Sequence, residues 1–292
     1  MSATDIPAAD QSAADESAAH PAPPRPRTGG AEDAARPLAP GETVATRYLD
    51  AAAGLLERVR AEEAGPGGSV EQAGRLLADA VAAGGRIFAF GAGHSSLAAQ
   101  DLVYRAGGLA LVNLLAVPGA VGVDVRPATL GSALERVEGL ATAVLDASPA
   151  RAGDVLVVVS LSGRNALPVE MARHARALGL KVVGVTSVVY ASRTQARNPS
   201  GTFLKDHCDV VLDNKIPVGD TVLALDGIAA PFAPASTVVT SALLQAATAS
   251  AAAVLAARGI EPPLLRSGNV DGGTEWNAEV FETYGDRIFY QN

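Results

Sequence analysis

The sequence predicts a doubly wound α/β fold, a five-stranded parallel sheet with helices on both faces, and three observations carry that expectation. From residue 85 to about 260, short β-branched runs alternate with segments of helical apolar spacing. The runs themselves, such as Val155-Leu156-Val157-Val158-Val159, are apolar at consecutive positions, as strands buried on both faces are. Two of them pass straight into small serine-rich loops that open helices: Gly91-Ala92-Gly93-His94-Ser95-Ser96 and Ser160-Leu161-Ser162-Gly163-Arg164-Asn165.

The elements follow in order. Residues 1–40 are Ala, Pro, Ser and Asp with almost no large apolar side chains, and are expected to be a disordered tail. Residues 41–84 read as a helical hairpin. Its first helix covers about 42–62, with Tyr48, Ala52, Leu55, Leu56 and Val59 at helical spacing. Gly65-Pro66-Gly67-Gly68 breaks it, and Ser69 with Gln72 has the spacing of a capping box for the second helix. Then come strand 86–90, helix 95–106, strand 109–115, a long loop and helix 132–147. Strand 154–159, helix 165–178 and strand 181–186 follow, then a polar loop, a strand near 209–212 and an edge element at 222–226. A last long helix spans about 235–258, closing a core domain of residues 85–260. Residues 261–292 read as ordered coil with turns at Gly268 and Gly272-Gly273.

Composition bounds the partners. A chain of 292 residues that is 48% hydrophobic has enough apolar surface for a full core. Its net charge is −8, of which −3 falls in the first 40 residues, and this argues against nucleic acid. Cys208 is the single cysteine, so disulfides and cysteine-based structural zinc are excluded within one chain. No signal peptide and no membrane span of roughly 20 uncharged apolar residues are read, and the protein is expected to be cytoplasmic.

Hydroxyls and backbone N–H groups converging at two helix N-termini suit a phosphate monoester. A dinucleotide fingerprint fits poorly: Ser96 stands where the third glycine belongs, and Leu111-Val112-Asn113-Leu114-Leu115 lacks the expected acid. The glycines alone would also allow an ordinary tight turn. The three lysines, Lys181, Lys205 and Lys215, lie outside both loops. Glu135 and Glu138, three apart in a predicted helix, are candidates for general base and acid. His94, within the first loop, is a candidate proton donor. Asp101 offers a further carboxylate and Arg105 a donor for a substrate oxygen. No metal site or cofactor is expected.

Over residues 42–260 the chain resembles the sugar isomerase (SIS) domain family, which binds phosphosugars. Gly91, Gly93 and Ser95 match its Gly-x-Gly-x-Ser loop, and Ser160, Ser162, Gly163 and Asn165 match its Ser-x-Ser-Gly-x-(Thr/Asn) loop. Tyr104-Arg105-Ala106-Gly107-Gly108, Pro234-Ala235-Ser236-Thr237 and Ser267-Gly268-Asn269-Val270-Asp271-Gly272-Gly273 resemble a sparsely characterised bacterial branch. The resemblance implies a flavodoxin-like sheet, phosphate held by Ser95, Ser160, Ser162 and Asn165 with Ser96 and Thr237 as weaker additions, and a homodimer or larger assembly. It also implies that some sites are completed by an adjoining subunit, a role open to the tail acids Asp271, Glu275 and Glu279. N-acetylmuramic acid 6-phosphate etherases, relatives within that family, carry paired acids in the helix corresponding to that of Glu135 and Glu138. Where they and several isomerases have another acid, this chain has Arg105. The expected activity is C2 proton abstraction from an N-acetylamino-sugar 6-phosphate with loss of water at C3. Aldose–ketose isomerisation and non-catalytic phosphosugar sensing are the alternatives.

Overall fold

The computed structural model describes residues 37–291. Nearly all of the segment read as a disordered tail lies outside the described residues. Its last four residues are held: Arg47 Nη2 donates to Pro37 O at 2.7 Å and Ala39 N to a Glu42 carboxylate oxygen at 2.8 Å.

Two helices, α1 (Val44–Glu63) and α2 (Ser69–Ala82), form the N-terminal hairpin. The capping box read at Ser69 is replaced by another device. Gly68 is the N-cap, Gln72 Nε2 and the Glu71 carboxylate reach back to Gly67, and the Ser69 hydroxyl turns to Glu63. The sheet follows as β1 (Ile87–Gly91), β2 (Val112–Leu114), β3 (Val155–Val159), β4 (Lys181–Thr186) and β5 (Val210–Asp213). All neighbours are parallel, in the order β2-β1-β3-β4-β5. This is the flavodoxin-like arrangement, whose switch point lies between β1 and β3.

Successive strand residues divide between two cores. Ile87, Ala89, Val155, Val157 and Val159 pack with α1, α2, α3 (Ser95–Gln100) and α8 (Ser236–Ala257). Phe88, Phe90, Leu156 and Val158 pack on the other face with α5 (Leu140–Ala147) and α6 (Ala166–Ala177). Asp154, fully buried, joins strand starts by accepting from Arg86 N at 2.8 Å and Arg151 N at 2.9 Å.

Five elements depart from the sequence reading. The helix expected at 95–106 stops at Gln100 and continues as turns. The helix expected at 132–147 is two, α4 (Ala128–Leu134) and α5, because Gly139 adopts φ 78° and Glu170 caps α5 from another element. The polar loop after β4 contains α7 (Val188–Arg193), capped by Ser187, whose Oγ accepts from Tyr190 N at 3.1 Å. The tail carries α9 (Gly273–Tyr284), where coil was expected. The 222–226 element is a single antiparallel bridge between Leu223 and Phe232 rather than a strand.

The tail covers the β2 margin. Gly107 N and Ala110 N donate to Leu265 O and Pro263 O, while buried Asn113 donates to Arg287 O at 2.9 Å and accepts from Phe289 N at 2.7 Å. The tail thereby covers the segment leading into β2 and satisfies the Asn113 side chain.

Contrary to the sequence reading, α8 is long and apolar enough to cross a membrane by length and composition. It packs as a core helix, burying Val239, Leu243, Ala247, Ala251 and Leu255. Its tightest contact is with α2, where a Cβ at Gly74 would stand 2.4 Å from Ser250 Oγ and 2.5 Å from Ser250 Cβ. Gly74→Ala is therefore expected to lower stability by about 1–3 kcal/mol through overpacking. Chemical denaturation reads the loss, and adding Ser250→Gly should restore part of it.

Candidate functional site

The crossovers from β1 and β3 leave on opposite sides of the sheet, so their loops flank one crevice at the carboxyl ends of the strands. There the structure has a cleft of about 240 Å³ lined by His94 and Ser95 of the first loop and Ser160, Leu161 and Ser162 of the second. Glu135, Tyr190, Asp220 and Ser236 complete its polar wall.

Both loops are held by their own backbones. Gly91 has no room for a side chain, since a Cβ would meet Ser95 O at 2.4 Å; this lets α3 start directly behind β1. Gly93 N donates to Ala120 O at 2.9 Å. In the second loop, Leu161 O accepts from Ser187 N at 3.0 Å and Thr186 Oγ1 at 3.1 Å, and Gly163 N donates to Ser160 Oγ at 3.3 Å. Ser162 lines the cleft beside them.

Glu135 ends α4 and is drawn to the second loop and to the helix that loop opens. Its carbonyl accepts from Leu167 N at 3.0 Å and its Oε2 from Asn165 Nδ2 at 2.7 Å. Its Oε1 lies against the first loop, 3.7 Å from where a Gly93 Cβ would be. One carboxylate thus spans the two loops, next to an imidazole and three serines.

The structure separates the other expected site residues from this cleft. Glu138 follows the break after α4, so the pair does not share a helix face; it lines a different pocket with Glu170, Arg173 and Asn198. Asn165 spends its amide on Glu135 instead of facing the cleft. Ser96 is fully buried and ties the first loop to a neighbour, donating to Gly93 O at 2.6 Å and accepting from Gly122 N at 3.0 Å. Asp101 pairs with Arg105 and accepts from Gln245 Nε2 at 3.0 Å, and neither residue lines the cleft. Thr237 is exposed, and its neighbour Ser236 lines the cleft instead.

Three lining residues were missed in the sequence: Tyr190, Asp220 and Ser236. Ser187 before Val188-Val189-Tyr190 was a legible cap signal. For Asp220 no local signal existed.

Away from the cleft, His207 bonds Thr202 Oγ1 at 2.7 Å, and burial holds its pKa below the usual imidazole value despite Asp206. Burial pushes the Cys208 thiol up to about 12. Among the described residues no group of three or more His, Cys, Asp or Glu is arranged to hold a metal.

Residues 47–187 match the family model of the SIS domain. The chain is 75% identical over 247 residues to a UPF0309 protein of Streptomyces coelicolor, covering 85% of this chain and 97% of that one. It belongs to the UPF0309 family. A UPF0309 relative from Geobacillus thermodenitrificans is 38% identical over 220 residues, 75% of this chain and 88% of its own. Among solved structures, phosphoheptose isomerase GmhA from Neisseria gonorrhoeae aligns at 19% identity and TM-score 0.45, covering 73% of this chain and 97% of that one. The Vibrio vulnificus NanR protein complexed with ManNAc-6P aligns at 14% and 0.44, covering 84% and 69%. Likeness that distant says nothing of the reaction.

Ser96→Ala should cost about 1 kcal/mol in chemical denaturation, since it leaves the half-buried Gly122 N–H without its Ser96 Oγ partner. Ser95→Ala, facing the cleft, should stay within about 0.5 kcal/mol of the parent.

Proposed function

We propose that this protein removes the C2 proton of an N-acetylamino-sugar 6-phosphate, such as N-acetylglucosamine 6-phosphate, and expels water from C3. The observation that carries the reading is the placement of Glu135 and His94 in one cleft with Ser95, Ser160 and Ser162. The serines and neighbouring backbone N–H groups hold the phosphate, and no lysine or arginine lines the cleft among the described residues.

In the open-chain aldehyde the C2–H is adjacent to the carbonyl and acidified by it. Glu135 takes that proton, and the C–H electron pair becomes the C2–C3 double bond as the C3–O bond breaks. His94 gives a proton to the departing oxygen, which leaves as water. Glu135 later releases its proton to solvent. Asn165 acts as a positioning residue, fixing Oε2 so that Oε1 faces the substrate. One base and one acid suffice for this sequence.

Aldose–ketose isomerisation starts with the same step but returns the proton to C1. The position at which several SIS isomerases carry a glutamate holds Arg105, tied to Asp101 outside the cleft. That favours elimination. The reading includes a cytoplasmic homodimer, and the uncharged outer face of α8 supports self-association.

Incubation with N-acetylglucosamine 6-phosphate in deuterated water tests the reaction. The expected product is lighter by one water and carries a C2–C3 double bond in NMR spectra. A ketose formed from a 2-hydroxy aldose phosphate such as glucose 6-phosphate would replace elimination by isomerisation, and tight binding without C2 exchange would make the protein a sensor.

Glu135→Gln should lower turnover by about 100- to 10,000-fold with ligand binding retained. Glu138→Gln and Arg105→Ala should stay within about threefold of the parent, since neither side chain lines the cleft. Steady-state kinetics with calorimetric binding separates these outcomes.

A further inference from the structure

The cleft has a second place where backbone donors meet an anion, and the protein fills it with its own carboxylate. Helix α8 is 22 residues long and carries no charge, so its N-terminal N–H groups are strong anion donors. Asp220 Oδ1 accepts from Ser236 N at 2.9 Å and Ala235 N at 3.2 Å, while Oδ2 accepts from Ser236 Oγ at 2.6 Å. Both Asp220 and Ser236 line the cleft that also holds the serine loops.

This placement has a conformational cost. Asp220 sits at φ 55°, the left-handed region that residues with a Cβ seldom occupy, at the end of a turn in which its N–H donates to Pro217 O at 3.1 Å. Such a conformation persists where surrounding contacts hold it.

We infer that Asp220 is a specificity-determining residue of the cleft: it occupies the α8 end as a built-in anion, so the site accepts sugar monophosphates and rejects sugars bearing a second anionic group. The inference rests on the cleft being the sugar phosphate site. The lining supplies two carboxylates, Asp220 and Glu135, and no cationic lysine or arginine among the described residues. A phosphate seated on the serine loops has its donors there. A second phosphate on the same sugar meets carboxylate oxygens, and like charges brought together without a counter-ion cost affinity. A neutral group meets something different. The Ser236 hydroxyl gives its proton to Asp220, which leaves its oxygen lone pairs to accept from a sugar hydroxyl or amide N–H.

The test is calorimetric titration of the full chain with N-acetylglucosamine 6-phosphate and with its 1,6-bisphosphate, in the parent and in Asp220→Asn. Asparagine keeps an accepting oxygen for the α8 N–H groups and removes the charge. The parent should bind the monophosphate at least about tenfold more tightly than the bisphosphate. In Asp220→Asn the ratio of the two affinities should shift about tenfold toward the bisphosphate. Asp220→Ser gives the same comparison if the asparagine variant fails to fold, as judged by circular dichroism. Equal affinity of the parent for both ligands, or an unchanged ratio in the folded variant, overturns the inference and leaves the cleft assignment standing. Binding of neither ligand by the parent removes the cleft assignment, and the inference with it.

Discussion

The cleft exists because β1 and β3 are neighbours whose crossovers diverge. Parallel strands must be joined by crossovers, and only where strand order reverses do two adjacent connections leave space between them. The proposed chemistry hangs on that gap. The first serine loop closes one side, the second closes the other, and hydrogen bonds to Ala120, the Thr186 hydroxyl and Ser187 hold them in place. Loops held this way offer donors already in place, so a ligand does not have to order them.

Glu135 joins the two sides. Its carbonyl docks on the start of α6, its carboxylate is steered by Asn165, and the free oxygen faces the first loop. The break between α4 and α5 is what makes this possible. A continuous helix would have put Glu135 and Glu138 on one face. The left-handed Gly139 and the reach of Glu170 across from α6 send the two carboxylates to different pockets.

The sheet and the two loops were legible because their signals are local. Continuous apolar runs, glycines where backbone approaches backbone, and hydroxyl residues at a strand end each report on a few neighbouring residues. What escaped the sequence depended on distant partners. Glu170 capping α5 and Asp220 capping α8 are contacts between separate elements, and nothing near either residue announces them. Ser96 misled for the opposite reason. It sits in the right loop, but whether a hydroxyl faces a ligand or a backbone amide such as Gly122 N is decided by the fold around it. The helix in the tail was readable: Trp276, Val280, Phe281 and Tyr284 recur at helical spacing, and the glycine turns before them drew attention away.

Among the described residues no lysine or arginine lines the cleft, and on the proposed reading this also shapes how an anion arrives. Hydroxyls and amide groups act only at contact, whereas a net charge of −8 is felt across a Debye length. The approaching ligand is therefore repelled at long range and captured at short range. Added salt screens the repulsion while leaving the contact donors nearly untouched, so encounter is faster in concentrated electrolyte, the reverse of the behaviour of a site built from cationic side chains.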